Sequence, residues 1–351
     1  MLVYIHIPFC DSKCSYCAFN SYVDKFHLKQ AYIDALHTQL LDELQKLSLQ
    51  KGDIETIFIG GGTPSTLHPS MYTKIFQTLL PYCSDTVEIT SEANPNSATK
   101  EWLEGMYALG VNRISFGVQS FDQNKLKLLH RAHTPQMAQE ALINAHKVGF
   151  TNLSLDLIYG VAGDSTSLLL NDLTYAFDLP INHLSAYALT IEEATPFAKT
   201  PEVAQEKLTD TLTFFDAIKA HGFVQYEISN FGTYKSQHNL GYWYYKDYLG
   251  LGAGAVGKYA NNRYYPHQSV EAYIKDPLFR TFETLDQEAI KTEKIFLGFR
   301  SEVGVALDIF TPQELQKVTL LLKEKKLVQQ DTRVFTDQFL LADELTLFIT
   351  S

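Results

Sequence analysis

The sequence predicts an α/β fold: six successive strand–helix units forming a parallel sheet, then a smaller α+β unit. Three observations predict it. Short apolar runs alternate with longer stretches of helical periodicity from residue 2 to residue 221. Polar or glycine-rich residues recur at the C-terminal end of each run, the rim where parallel α/β folds carry their sites. After residue 225 the pattern changes, first to a glycine- and aromatic-rich stretch, then to short helices around a ribbon.

Leu2-Val-Tyr-Ile-His-Ile7 reads as a buried strand that Pro8 ends. Leu28 to Leu49 is helical, with Ala31, Ile33, Leu36, Leu40, Leu44 and Leu47 along it. Ile54 to Ile59 is the second strand and closes in Gly60-Gly-Gly-Thr-Pro-Ser65, with a helix at Ser70 to Leu80. The next units pair Val87–Glu92 with Ala98–Leu109, and Asn112–Val118 with Pro135–Val148. The last two pair Leu153–Ile158 with Thr166–Phe177, and His183–Leu189 with Val203–His221. Such alternation implies right-handed crossovers within one sheet. No G-x-G-x-x-G follows the first strand, which disfavours a dinucleotide fold. That spacing does occur at Gly252, Gly254 and Gly257, but away from a fresh βαβ unit, so it reads as a turn or strand with close backbone approach. Asn261 to Pro277 reads as a surface connection. From Leu285 the pattern is short helices, then Leu327-Val328 and Arg333-Val-Phe335, then a helix from Ala342: a small winged-helix-like unit. The expected divisions are 1–225, 226–284 and 285–351.

The net charge of −11 argues against a general nucleic-acid binder. No apolar run approaches a membrane span, and the first strand starts too early for a secretory leader to precede it. Four cysteines, three of them in one loop, do not make a secreted disulfide framework. The expectation is a soluble cytoplasmic protein with reduced thiols.

The loop Cys10-Asp-Ser-Lys-Cys14-Ser-Tyr-Cys17 spaces its thiols C-x3-C-x2-C directly after the first strand. One short loop of this kind can wrap an inorganic centre, and iron–sulfur clusters are held by thiolates. A zinc site and plain buried cysteines are the competing readings, although no second ligand pair is evident. Cys83 reads as a small hydrophobe. The loop resembles the signature of radical S-adenosylmethionine proteins. That resemblance implies a partial (β/α)6 radical SAM barrel, a [4Fe-4S] cluster on Cys10, Cys14 and Cys17, and S-adenosyl-L-methionine on the fourth iron.

The resemblance also implies ligand contacts. Gly61, Gly62 and Thr63 would cradle the methionyl amine, where a plain βα turn is the bland alternative. Glu92 would bind S-adenosylmethionine. Gln119, Arg131 and Asp156 resemble residues that contact a second S-adenosylmethionine. Tyr4 would touch the adenosyl group and Tyr16 would shield the cluster. Ala188, at the end of the sixth strand, and Val256, in the glycine run, join this set. His130 and His133 read as ordinary helix or loop histidines.

Tyr4-Ile-His-Ile-Pro-Phe-Cys10, Gly117-Val-Gln-Ser120, Asp156-Leu-Ile-Tyr-Gly160 and His238-Asn-Leu-Gly-Tyr-Trp243 extend the likeness over most of the chain. Together they resemble the HemW family of heme chaperones, non-catalytic relatives of oxygen-independent coproporphyrinogen III oxidase. Phe19 stands where the oxidase has a further cysteine, and the oxidase's N-terminal extension is lacking. The H-N-x-x-Y-W motif is the family's heme motif, which makes His238 the expected axial ligand; a satisfied histidine in an aromatic core is the bland reading. Two departures are Val256, where the family has histidine, and Ala18, where aspartate is common. The resemblance assigns no catalytic residue. It implies heme delivery to respiratory proteins, peripheral contact with the membrane face, a homodimer and no nucleic acid. The alternative is the oxidase activity itself, decarboxylation to protoporphyrinogen IX.

Overall fold

A computed structural model describes all residues 1–351. Six strands alternate with helices as the periodicity predicts. They are β1 (Leu2–Ile7), α1 (Lys29–Leu47), β2 (Ile54–Gly61), α2 (Thr73–Leu79), β3 (Cys83–Ala93), α3 (Lys100–Ala108) and β4 (Arg113–Gln119). A short helix α4 (Gln123–Leu128) precedes α5 (Pro135–Val148), and β5 (Asn152–Tyr159), α6 (Thr166–Phe177), β6 (His183–Ala188) and α7 (Leu208–Ala220) complete the series. Local chemistry sets the helix ends. Thr134 accepts from the Met137 N–H ahead of Pro135 in the first turn of α5, and Gly149 ends that helix at φ +122°. Ser165 accepts from Leu168 N–H to start α6.

Strands β1 to β6 pair in parallel and in sequence order. Both sheet edges are then extended by later segments. Beyond β6 lie β8 (Asn230–Gly232) and β7 (Val224–Gln225), both antiparallel. Beyond β1 lies β9 (Tyr248–Leu251), parallel to it, then β10 (Gly257–Tyr259), β11 (Asn262–Tyr265) and β12 (Thr281–Thr284) in antiparallel succession. The sheet of twelve strands therefore runs from β12 to β7 and stays open, as a partial barrel does. The residues after 225 widen the sheet and do not close it.

The stretch expected to be a surface connection is partly core. It contains β11 and a helix α9 (Val270–Lys275), with Val270 and Tyr273 fully buried. Tyr273 lies against Tyr32, and its hydroxyl donates to Gln39 Oε1 at 2.5 Å. Periodicity missed this because only two residues of a six-residue helix face inward.

The C-terminal unit holds α10 (Gln287–Phe299), β13 (Val305–Ala306), α11 (Pro312–Lys323), β14 (Val328–Gln330), β15 (Arg333–Phe335) and α12 (Ala342–Thr350). It has its own three-stranded sheet and its own core of Ile295, Phe299, Val318, Leu321, Val334 and Leu345, among others. Thr311 and Glu314 form a reciprocal capping box at the start of α11. No helix is long and apolar enough to cross a membrane.

Candidate functional site

The loop after β1 is built before any ligand arrives. Its two ends are pinned: Cys10 N–H donates to Tyr22 O at 3.0 Å, and Tyr22 N–H to Pro8 O at 2.8 Å. Cys10 and Cys14 are buried, Cys17 is half-buried, and all three are free thiols. No three His, Cys, Asp or Glu side chains converge where a single metal ion would sit. Three thiols on one short braced loop are the donor type that iron–sulfur clusters use.

The triple glycine is strapped beside it. Gly62 N–H donates to Ile7 O and Thr63 N–H to Phe9 O, each at 2.8 Å. Gly61 sits at φ +109° directly over the His6 ring, and a Cβ at Gly62 would lie 2.8 Å from Ile7 O and 3.0 Å from Cys10 Sγ. Only glycine fits both places. Thr63 Oγ1 donates to Cys10 Sγ at 3.4 Å and accepts from Asn94 Nδ2 at 3.1 Å. Arg131 closes this network, donating to Asn94 Oδ1 at 2.7 Å, to Gly117 O at 2.5 Å and to Cys14 Sγ at 3.2 Å. Next to it His130, at φ +54°, hydrogen-bonds Ser15 inside the cysteine loop. Two consecutive residues thus reach back from the α4–α5 connection to brace that loop.

The strand ends supply the rest. Glu92 accepts from Gly61 N–H at 3.1 Å, which joins β3 to the glycine strap. Asp156 on β5 accepts from Ser115 Oγ at 3.4 Å. Desolvation pushes the Glu92 carboxyl up to about 8, helped by the Asp156 charge, and pushes Asp156 up to about 6. Tyr4 points its hydroxyl at His6 Nδ1, 3.0 Å away, and His6 Nε2 bonds Asn20 O. Tyr16 packs with Leu129, Ile158, Leu189 and Phe197 under the loop. Gln119 is buried at φ +71°, at the irregular end of β4, and Ala188 ends β6. Val256 lies in the β9–β10 turn, which Asn20 ties to the cysteine loop by donating to Ala253 O at 3.0 Å. The structure therefore gathers Tyr4, Tyr16, Gly61, Gly62, Thr63, Glu92 and Arg131 around the loop, while Gln119, Asp156 and Ala188 line the same rim.

A pH dependence follows for the cluster-free protein. A raised carboxyl pKa means that the fold holds a proton which the unfolded chain releases, so rising pH removes stability. Buried His183 and His238, held neutral, act in the opposite sense, but only below about pH 6.5. Above that, Glu92 and Glu227, the latter pushed up to about 7, dominate. Thermal melts should show stability falling from pH 6.5 to 8, and Glu92→Gln should flatten that slope. An unchanged slope in the variant would clear Glu92 of the effect.

His238 does not stand as the open ligand expected from the motif. It lies on α8 (Gln237–Trp243), a helix that the sequence reading did not predict, and it is 1% exposed. Its Nδ1 pairs with Thr56 Oγ1 at 2.7 Å and its Nε2 with the Tyr242 hydroxyl at 3.1 Å. Both ring nitrogens are satisfied within the fold, so in this conformation the imidazole offers no free donor. Glu88 fixes the helix, accepting from Gln237 and His238 N–H at 3.0 and 2.9 Å and from the Tyr234 hydroxyl at 2.7 Å. Cys83 is buried and bonds Leu79 O, and burial pushes its thiol up to about 11. His133 is buried against Val118 O.

Sequence reasoning missed Ser15, Asn20, Glu88 and Asn94. Asn94 lies within the Ser91-Glu-Ala-Asn-Pro95 segment noted for Glu92, but contacts spanning thirty or more residues leave no local signal.

A cysteine loop after β1, a glycine strap after β2 and carboxylates on later strands of a partial barrel define a radical S-adenosylmethionine protein. Residues 4–173 match the Radical SAM superfamily, which implies a [4Fe-4S] cluster and S-adenosylmethionine. A heme chaperone HemW of Bacillus subtilis is 35% identical over 323 residues, covering 86% of this chain and 84% of that one. The heme chaperone HemW of Escherichia coli is 42% identical over 270 residues, covering 73% and 69%. The chain belongs to the HemW family. Coproporphyrinogen III oxidase (HemN) of Escherichia coli, a radical SAM enzyme, superposes with a TM-score of 0.82 at 19% identity, covering all of this chain and 90% of that one, which shows the shared fold.

Proposed function

We propose that this protein is a heme chaperone, which binds heme and delivers it to acceptor proteins from a cluster-bearing radical S-adenosylmethionine scaffold. The observation that carries the reading is family membership together with an intact H-N-x-x-Y-W segment, His238 to Trp243, docked against β2 and β3. Cys10, Cys14 and Cys17 would hold the cluster. Gly61, Gly62, Thr63 and Glu92 would receive S-adenosylmethionine, whose amino acid end completes the cluster's coordination. Arg131 holds Cys14 through Nη1 to its sulfur and donates from Nη2 to both Asn94 and Gly117. Anaerobic binding assays run above pH 8, where the Glu92 carboxyl is ionised, should show S-adenosylmethionine affinity falling about tenfold in Glu92→Gln, the worth of one charge-assisted hydrogen bond. Unchanged affinity would remove Glu92 from the site.

His238 reaches heme iron only if the Tyr242 hydroxyl leaves Nε2. Hemin titration of the cluster-loaded protein should give a shifted Soret band, with no protoporphyrinogen formed from coproporphyrinogen. His238→Ala that keeps both band and affinity would leave heme binding standing and exclude His238 as the axial ligand; a wild-type protein that does not bind hemin would sink the reading.

A further inference from the structure

The C-terminal unit meets α8 across a cleft of about 410 Å³. That volume lies within the roughly 300–1,000 Å³ usual for small-molecule sites. One wall is aromatic: Trp243, Tyr244 and Tyr245, three consecutive residues at the end of α8. The opposite wall comes from α10, β13, the turn after β13 and β15, and includes Val305 and Ile309. Two cations face it, Lys294 and Arg333, against one acid, Asp308.

The charge balance sets this cleft apart. Lys294 is exposed and makes no ion pair; its ammonium lies 5.5 Å from the Tyr245 ring centre. Arg333 is held by neutral acceptors, the carbonyls of Val303 and Gly304, each at 2.8 Å. Those bonds fix its guanidinium without neutralising it. The neighbouring cleft on the other side of Tyr245 also contains three cations, Lys246, Lys258 and Arg263. There each is already paired, with Glu55, Asp247 and Glu293 respectively. In a chain of net charge −11, two cations without an ion pair, beside the exposed Tyr244 ring and the half-buried rings of Trp243 and Tyr245, call for an anionic, flat, apolar partner.

We propose that this cleft receives a tetrapyrrole carrying carboxylates, its ring on Trp243 and Tyr244 and its carboxylates on Lys294 and Arg333. This rests on the heme-chaperone reading and supplies the propionate contacts that the sequence did not reveal. It also gives the C-terminal unit a role, since without that unit the cations and half the apolar wall are lost. Tyr244 is 56% exposed, so one face of the cleft stays open to water. A site of this size covers part of a tetrapyrrole and leaves an edge exposed, which suits transfer to a second protein.

The test uses the full cluster-loaded protein, titrated anaerobically with hemin, protoporphyrin IX and protoporphyrin IX dimethyl ester. Lys294→Glu is the primary variant because Lys294 is exposed and makes no ion pair, its charge meeting only the Tyr245 ring. It should weaken binding of the two dicarboxylates about tenfold, as loss of a charge-assisted contact does, while the ester binds variant and wild type alike. Tyr244→Ala should weaken all three. If wild type binds hemin and Lys294→Glu and Tyr244→Ala both bind it equally well, the cleft is not the site and the chaperone reading survives. If wild type binds none of the three, the chaperone reading falls and the cleft proposal with it.

Discussion

Replacing Cys10, Cys14 or Cys17 by alanine is expected to abolish the cluster, whereas Cys83→Ala retains it. Anaerobic reconstitution of the wild type should give close to four irons and four sulfides per chain, with a brown charge-transfer band. The first three thiols share one braced loop, so two remaining thiolates cannot hold a cubane against solvent. Cys83 opens β3, and its thiol donates to Leu79 O. Iron and sulfide analysis of the four variants decides the matter. Loss of iron in Cys83→Ala, or stoichiometric zinc in anaerobically purified wild type, would overturn the three-thiolate site. Retention of the brace should show in the same series: Arg131→Ala is expected to keep the loop's thiols but load less iron, because Cys14 loses its donor and Asn94 loses its link to Cys14.

Glu88→Ala should be strongly destabilising. The carboxylate is 4% exposed and accepts three hydrogen bonds, two from the first turn of α8 and one from Tyr234. Truncation leaves a hydroxyl and two backbone N–H groups without partners in a buried place. At about 1–3 kcal/mol for each stranded group, and with some of them recovering a water, the expected loss is about 3–5 kcal/mol. Urea denaturation measures it, and Glu88→Gln, which keeps an acceptor oxygen, should lose less. The loss should also reach the cleft, since α8 carries the aromatic wall at its other end. A Glu88→Ala protein as stable as wild type would show that Asn239 capping by Ser236 suffices to hold the helix.

How much of this was legible in the sequence depended on the range of the interaction. The six strand–helix units were legible because periodicity is local, and β1, α5 and α6 fall where the spacing placed them. The cysteine loop and glycine strap were legible because their chemistry is contiguous. α8 was not: it is a seven-residue helix containing Gly241 and two aromatic residues, with no helical stripe to read. The fate of His238 was not legible either, because Thr56, 182 residues away, decides it. The motif pointed to the segment but not to the partners of its histidine, whose two nitrogens are occupied within the fold. The addition of β9 to β1 was equally hidden, since a four-residue strand with two glycines in or beside it carries a weak strand signal.

That addition has a consequence for biosynthesis. Leu2 pairs with Tyr248, and at about 5–20 residues per second the ribosome needs roughly 12–50 s to deliver β9 after β1 has emerged. Until then the outer edge of β1 offers unpaired backbone groups to any passing strand. The cysteine loop lacks one of its fastenings over the same interval, because Asn20 finds Ala253 and Gln268 only when those residues exist. The nascent chain therefore passes through a long interval in which one side of its cysteine loop is uncovered and its first strand is sticky. Cluster insertion at that stage would meet the least obstruction, and a chain cut short before residue 248 would be left with the adhesive edge and none of its cover.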